Sequence, residues 1–193
     1  MPASLDRDLA DLDPPARWRE WMGRVEAAVF AAPEPVGRAT LSRLVGEGCD
    51  LDRLIQDIRG ELEARPYDMV PVAGGWQHRT RPRFAGALRH AEAAPRGQSI
   101  SPVDAAVLAA IAWHQPITRA EIDARLGRDT PPDTLARLRG LGLIGNGPRS
   151  PRPGSPPTYV TTRGFLSTFG LSSHADLPEL EPDDLNMVAI TAR

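Results

Sequence analysis

Apolar residues recur at helical spacing in three places in the first half of the chain. The first series follows the i, i+4, i+7, i+8 pattern of an amphipathic helix and consists of Trp21, Val25, Ala28 and Val29. A second, short helix is predicted for residues 37–45, because Gly46 is placed to end it. A third helix is predicted to start after Asp50 or Asp52 as its N-cap and to end before Pro66, with leucines and isoleucines along one face.

Two extended segments, residues 69–73 and 76–80, follow the third helix on either side of Gly74-Gly75. Glycine adopts positive φ at little cost, so Gly74-Gly75 predicts the tight turn of a β-hairpin. Three helices followed by a β-hairpin are typical of a winged helix-turn-helix domain.

The second half shows the same order of elements. Ser101 and Pro102 begin a helix by the rule of a cap followed by proline, and its predicted buried face consists of Val103, Val107, Ala110 and Ile111. Thr118 and Glu121 have the spacing of a capping box for a short helix that Gly127 ends.

The elements that follow complete a second domain of the same kind. Thr130 or Asp133 is the predicted start of its third helix. Residues 143–144 and 158–161 are the predicted hairpin strands, and the loop between them, residues 145–157, contains five prolines.

The two halves also match residue by residue. A shift of 81 positions places identical residues on one another without a gap, among them Pro35/Pro116, Arg38/Arg119, Gly46/Gly127, Asp52/Asp133, Leu54/Leu135, Thr80/Thr161 and Phe84/Phe165. We therefore predict a mainly α protein with small β-hairpins, an α+β fold made of two tandem winged helix-turn-helix domains. The predicted organisation is a flexible acidic extension at 1–15, winged-helix domains at 16–95 and 96–170, and an acidic tail at 171–193.

Composition limits the function classes. The 193 residues carry a net charge of −2, which argues against non-specific coating of nucleic acid or of an anionic membrane surface. Cys49 is the only cysteine, so an internal disulfide is excluded and a reducing cytoplasm is the expected location. The longest apolar run, residues 105–113, is about half of what a bilayer requires, and the aspartate-rich start does not resemble a signal peptide.

The sequence shows no catalytic constellation. None of the four histidines has the spacing of a metal site, Cys49 has no histidine near it in sequence, and no phosphate-binding glycine motif is present. We therefore expect no catalytic residue, no metal site and no cofactor, and we do not expect an enzyme.

DNA binding is the alternative that the fold suggests, since a winged-helix domain can place its third helix in the major groove. The third helix of the first half is acidic, which disfavours contact with phosphates. In the second half, four arginines are candidates for phosphate contacts: Arg137, Arg139, Arg149 and Arg152. The alternative hypothesis is thus a winged-helix DNA-binding transcriptional regulator. Protein binding is the other use, with Trp76 and Trp113 as anchors of interfaces or as core residues.

Several segments resemble the segregation and condensation protein B (ScpB) family. They are residues 25–36 (VEAAVFAAPEPV), 72–82 (VAGGWQHRTRP), 113–122 (WHQPITRAEI) and 153–162 (PGSPPTYVTT), followed by Phe165-Leu166 and by Phe169-Gly170-Leu171. The resemblance covers about residues 20–181, and the QPITR segment is specific to the family.

The resemblance implies a non-enzymatic subunit of the bacterial chromosome condensation complex. Such a protein forms a homodimer through its first winged helix and binds the kleisin subunit ScpA, which in turn connects to the SMC ATPase. The implied location is cytoplasmic and nucleoid-associated, with no membrane contact and with weak or indirect DNA contact. The candidate dimer residues are Val72, Trp76, Phe84 and Leu88, and the candidate kleisin-binding residues are Trp113, Gln115, Pro116, Ile117, Arg119, Tyr159, Phe165 and Phe169.

Overall fold

The computed structural model describes residues 5–91 and 100–179. The chain forms two compact units that divide between Pro95 and Arg96. We call them the first unit and the second unit and describe each by itself.

The first unit contains four helices, a 3-10 turn and three strands. In chain order they are α1 (Pro14–Ala31), β1 (Val36–Gly37), α2 (Arg38–Leu41), α3 (Leu51–Glu61), β2 (Tyr67–Val72), β3 (Gly75–Thr80), the 3-10 turn Pro82–Phe84 and α4 (Ala85–His90). α1 packs against α3 and β3. The core between these elements includes Val25, Val29, Leu41, Leu54, Ile58 and Met69.

Capping residues determine where the two long helices of this unit begin. The side chain of Asp13 accepts a hydrogen bond from the Ala16 amide at the start of α1, and Asp50 accepts one from the Arg53 amide at the start of α3. Asp50 is therefore the cap, of the two candidates that the sequence left open. The second helix is shorter than predicted, because it ends at Leu41 and continues as a turn.

The hairpin of the first unit turns one residue earlier than predicted. The loop residues are Ala73 and Gly74, both with positive φ, and Gly75 already pairs with Val72. Gly75 is needed for another reason: a Cβ atom at this position would lie 2.7 Å from the carbonyl oxygen of Val36 in β1. Because β1 pairs with β3, the wing is a three-stranded sheet in the order β1-β3-β2.

Residues 5–13, which precede α1, pack against the rest of the first unit. The guanidinium of Arg7 donates hydrogen bonds to the carbonyl oxygens of Ser42 and Val45, both at 3.0 Å. The indole Nε1 of Trp21 donates to the Arg7 carbonyl at 2.8 Å. These contacts connect the start of the chain to α1 and to the turn after α2.

The second unit has the same order of helices and strands, but its 3-10 turn follows the last helix instead of preceding it. The elements are α5 (Pro102–His114), β4 (Ile117–Thr118), α6 (Arg119–Leu126), α7 (Pro132–Gly140), β5 (Ile144–Asn146), β6 (Thr158–Thr161), α8 (Arg163–Phe169) and the 3-10 turn His174–Asp176. Its sheet has the order β4-β6-β5, and the core includes Ile111, Ile117, Ile122, Leu138 and Ile144.

Most of the predicted caps in the second unit are confirmed. Ser101 caps α5, Thr118 and Glu121 form a reciprocal capping box, and Gly127 ends α6 in the left-handed conformation. The predicted start of α7 is wrong, because its N-cap is Pro131 and neither Thr130 nor Asp133. The Thr130 amide donates instead to the carboxylate of Asp123 at 2.7 Å.

The predicted fold class is confirmed, with one addition in each unit. The sequence predicted two-stranded hairpins, whereas each sheet gains a third strand, β1 or β4, from the two residues before the second helix. A strand of two residues is too short to show the alternation by which strands are recognised. Among the described residues, no helix is both long and apolar enough to cross a membrane.

Candidate protein-binding groove in the second unit

An apolar groove of about 450 Å³ lies between the outer face of α5, helix α8 and the segment 171–178. The described side chains that line it are all apolar: Ile100, Ala105, Leu108, Ala109, Ala112, Trp113, Phe165, Phe169, Leu171, Leu177 and Pro178. Ligand-binding clefts in proteins commonly enclose about 300–1,000 Å³. The groove is therefore large enough to hold several side chains of a bound segment.

The apolar outer face of α5 follows from its composition. Residues 105–113 (AAVLAAIAW) contain no charged side chain, so this part of the helix has apolar residues on all sides. Val107 and Ile111 are in the core, where α5 packs against α6, α7 and β6. Leu108 and Ala112 lie on the groove side.

Helix α8 forms the second wall and presents two aromatic rings. Thr162 caps the helix by accepting a hydrogen bond from the Phe165 amide, and Gly170 ends it in the left-handed conformation. The rings of Phe165 and Phe169 have centroids 4.9 Å apart. Phe165 is only 4% exposed, whereas Phe169 is 50% exposed at the mouth of the groove.

The segment 171–178 forms the third wall and is held by polar contacts. The indole Nε1 of Trp113 donates to the carbonyl oxygen of Pro178 at 2.9 Å. The ring of His174 stacks on Phe165, and its Nε2 lies 2.5 Å from the hydroxyl of Thr161. The wall is thus attached to both α5 and β6.

The first turn of α5 carries a buried carboxylate that is paired with an arginine of α7. Asp104 is buried there and accepts two hydrogen bonds from the guanidinium of Arg137, at 2.7 and 3.0 Å. The Arg137 guanidinium lowers the pKa of the Asp104 carboxyl, and hydrogen bonds from Ser101 and Thr134 act in the same direction. At the end of the helix, burial lowers the pKa of the His114 imidazole, with Arg125 adding to the effect.

The structure brings three of the eight candidate kleisin-binding residues together in the groove: Trp113, Phe165 and Phe169. The others lie towards the sheet. The side-chain oxygen of Gln115 accepts from the Thr161 amide at 2.6 Å. Pro116 is exposed, and Ile117 is buried opposite Tyr159. Arg119 donates to the Thr130 carbonyl at 2.6 Å.

The candidate dimer residues of the first unit differ in how much surface they offer. Val72 is in the core of its own unit, so little of its side chain is available to a partner. Trp76 is half-buried opposite Val36 of β1. Phe84 and Leu88 are half-buried on the 3-10 turn and α4, and neither of these two elements has a buried residue.

The four candidate DNA-contacting arginines all have partners within the second unit. Arg137 binds Asp104, and Arg152 lies 3.0 Å from the carboxylate of Glu121. Arg139 donates to the side chain of Asn146 and lies over the ring of Tyr159. Arg149 donates to the carbonyl oxygen of Ser155 in the wing loop.

Sequence reasoning missed most of the α5 side of the groove and all of the third wall. It assigned α5 a single buried face and therefore overlooked Leu108, Ala109 and Ala112. The signal was present, because an apolar run without a polar face predicts a helix that is covered on both sides. Leu171, Leu177 and Pro178 gave no such signal, since they lie in an irregular segment that the sequence analysis assigned to a tail.

Metal binding and thiol chemistry find little support in the residues described. Within 5–91 and 100–179, no three His, Cys, Asp or Glu side chains are grouped so that they could hold a metal ion. Burial, with a contribution from Asp50, raises the pKa of the Cys49 thiol, and this disfavours the reactive thiolate.

Comparison with known proteins identifies the family. A family model described as segregation and condensation complex subunit ScpB matches residues 23–180. The chain is 33% identical over 169 residues to segregation and condensation protein B of Symbiobacterium thermophilum, covering 86% of this chain and 76% of that protein. It is 36% identical over 165 residues to the protein of the same name from Syntrophotalea carbinolica, covering 81% and 80%.

A solved structure gives a further similarity. The crystal structure of ScpB from Mycobacterium tuberculosis is 25% identical, covers 84% of this chain and 99% of that chain, and has a TM-score of 0.37. Since the family model spans most of the sequence and both relatives exceed 30% identity over most of its length, the chain belongs to the ScpB family of segregation and condensation complex subunits.

Proposed function

We propose that the chain is a non-enzymatic scaffold subunit of an SMC–ScpA–ScpB complex that acts in chromosome condensation and segregation. In this proposal it forms a homodimer through the first unit and binds the kleisin ScpA through the second, and ScpA connects it to the SMC ATPase. It works in the cytoplasm, in association with the nucleoid.

The observation that carries this proposal is the apolar groove of the second unit. Within residues 100–179 its lining is apolar, and Phe169 is half-exposed at its mouth. Phosphates bind to arginine, lysine and amide donors, whereas an apolar face of a peptide segment binds to such a groove. Contacts of this kind also tolerate salt, unlike phosphate contacts.

The test is co-purification of the full chain with ScpA. Phe169→Asp places a charge at the mouth of the groove and is expected to weaken ScpA binding by at least tenfold, within the range of interface hot spots. Thr168→Asp is the matched control, because Thr168 is exposed on the same helix and does not line the groove. Equal binding of ScpA by both variants would contradict the proposed site.

The evidence for the proposed dimer comes from the helix that follows the wing, α4 in the first unit and α8 in the second. At the shift of 81 positions, Phe84 and Leu88 correspond to Phe165 and Phe169. In the second unit the segment 171–178 packs beside this helix, whereas α4 of the first unit contains no buried residue. The half-exposed Phe84 and Leu88 therefore supply apolar surface for a second copy.

Light scattering of the full chain tests the dimer. The expected mass is that of two chains, and Leu88→Asp is expected to reduce it to one. Ala87→Asp is the control, since Ala87 is exposed on the same helix. A wild-type chain that stays monomeric at high micromolar concentration would remove this part of the proposal.

The DNA-binding regulator is the competing function, and the engaged arginines of the second unit disfavour it. Titration against duplex DNA and against ScpA at two salt concentrations separates the two functions. We expect weak DNA binding with a steep salt dependence. Tighter binding to DNA than to ScpA at physiological salt, with sequence preference, would instead support the regulator.

A further inference from the structure

The third wall of the groove is also the point from which the chain continues into its C-terminal segment. Leu177 and Pro178 line the groove, and Pro178 is fixed to Trp113 by the indole hydrogen bond of 2.9 Å. The residues after Glu179 therefore start at the edge of the groove.

The sequence after this point has two parts. Residues 181–184 contain three acidic side chains, and residues 185–190 read LNMVAI, in which five of six residues are apolar. Apolar side chains in a segment of this length gain free energy when they are removed from water, by about 25 cal/mol for each Å² buried. The groove beside them is apolar, and it is large enough for a few such side chains.

The connecting residues are long enough to bring the two together. Residues 179–184 span up to about 20 Å when extended. The groove face of α5 runs from Ala105 to Trp113, which is about 12 Å of helix. The apolar segment can thus reach any part of the groove without a change in the described structure.

Connectivity favours occupation by the same chain. A segment joined to its site by only a few residues has an effective concentration in the millimolar range. At such a concentration, a segment of the same chain can fill a site that binds it only weakly.

We propose that residues 185–190 occupy the groove of the same chain and that a partner segment has to displace them. The regulatory part of this inference rests on the proposed function of the groove. While the tail is bound, the apparent Kd for the partner equals the intrinsic Kd divided by the fraction of chains whose groove is open. The C-terminal segment is then an internal competitor that sets how strongly a partner must bind.

The test uses the full chain and a synthetic peptide of residues 183–193 as the probe, with binding followed by fluorescence anisotropy. The wild-type chain is expected to bind the peptide weakly. Val188→Asp opens the groove and is expected to tighten peptide binding by at least tenfold. Asn186→Asp is the matched control, because it adds the same charge at the polar position of the segment and is expected to behave as the wild type.

A second pair of variants locates the peptide. In the Val188→Asp chain, Ala109→Glu puts a charge into the groove and is expected to abolish peptide binding. Ala136→Glu, at an exposed position of α7, is expected to leave it unchanged. Equal peptide binding by the wild-type and Val188→Asp chains overturns the proposal, as does peptide binding that survives Ala109→Glu.

Two combinations of results separate this inference from the proposed function. If ScpA co-purifies in a Phe169-dependent manner while the peptide binds none of the variants, the inference fails and the proposed function stands. If the peptide binds in the groove but ScpA does not co-purify, self-occupation stands and the proposed function fails. If the wild-type chain binds the peptide more tightly when the protein is diluted, the groove is filled by the tail of another copy. That result overturns occupation by the same chain.

Discussion

The helix after the wing shows most clearly how the two units differ. In the first unit, the 3-10 turn and α4 contain no buried residue, and Phe84 is half-buried. In the second unit, the equivalent Phe165 is 4% exposed and packs on Phe169. The same repeated helix is therefore largely exposed in one unit and a wall of a groove in the other, where the segment 171–178 packs beside it.

The first helix and the wing also differ between the two units. α1 has its buried residues on one face, whereas α5 is covered on its inner side by the core and on its outer side by the groove elements. The wing of the first unit is a tight hairpin with strands of six residues, and that of the second has shorter strands joined by a proline-rich loop. The two units therefore share one fold but differ in the surfaces that their first helices and wings form.

The largest effect is expected at the equivalent phenylalanines. Phe165→Ala removes a buried aromatic ring and is expected to lower the free energy of unfolding by about 3–5 kcal/mol. Phe84→Ala is expected to lower the free energy of unfolding by about 1 kcal/mol or less in dilute solution. If two first units pair, the loss becomes larger as the protein concentration rises. Urea denaturation followed by circular dichroism measures both, and equal costs at low concentration would mean that the two helices are equally packed.

The ion pairs of the two units provide the second test. Asp104→Asn is expected to cost about 1–3 kcal/mol, because it weakens a buried, doubly hydrogen-bonded contact with Arg137. Since the folded pKa of Asp104 is lowered, its contribution is complete above the ordinary aspartate pKa of about 3.9 and is lost as the pH falls through the lowered value. The thermal midpoint of the wild type should therefore fall more steeply in acid than that of the variant.

The exposed pair Arg38–Asp52 of the first unit is the control for this experiment. Asp52→Asn is expected to leave the thermal midpoint unchanged, since exposed ion pairs contribute little to stability. A variant of Asp52 as destabilised as that of Asp104 would show that burial does not distinguish the two pairs.

The close contact in the first wing gives a third test. Gly75 pairs with Gly37, whereas the second wing has Thr158 opposite Thr118. Gly75→Ala is expected to cost about 1–3 kcal/mol, because the new Cβ atom would meet the Val36 carbonyl oxygen at 2.7 Å. Gly86→Ala, in open space on α4, is expected to be neutral or slightly stabilising. Thermal unfolding distinguishes these outcomes, and a tolerated alanine at Gly75 would mean that β1 can move away.

The smallest effect concerns the cap of the second helix. Thr118 caps α6 by a reciprocal box with Glu121, whereas its equivalent, Gly37, gives α2 no side-chain cap. Thr118→Ala is expected to cost about 1 kcal/mol, and Gly37→Ser to gain a few tenths of a kcal/mol. An unchanged thermal midpoint for Thr118→Ala would show that the box is redundant.

Most helix ends of both units follow from the local sequence, although the start of α7 and the end of α2 do not. Caps such as Asp50, Ser101 and Thr118 and the stop at Gly127 are read from neighbouring residues, because a helix end is satisfied by side chains within three or four positions. The repeat at 81 positions and the periodicity of the long helices then predicted the winged-helix pair. These features depend on short-range geometry, which the order of residues specifies directly.

Which surfaces are covered depends on packing between residues that are distant in the sequence. Nothing in the neighbourhood of Pro178 indicates that its carbonyl meets the indole of Trp113, 65 positions earlier, and nothing local to Phe84 and Phe165 indicates that one is half-buried and the other enclosed. The strands β1 and β4 are likewise defined only by pairing with distant residues. Burial depends on what the rest of the chain places against a side chain, so the groove becomes visible only when α5, α8 and the segment 171–178 are seen together.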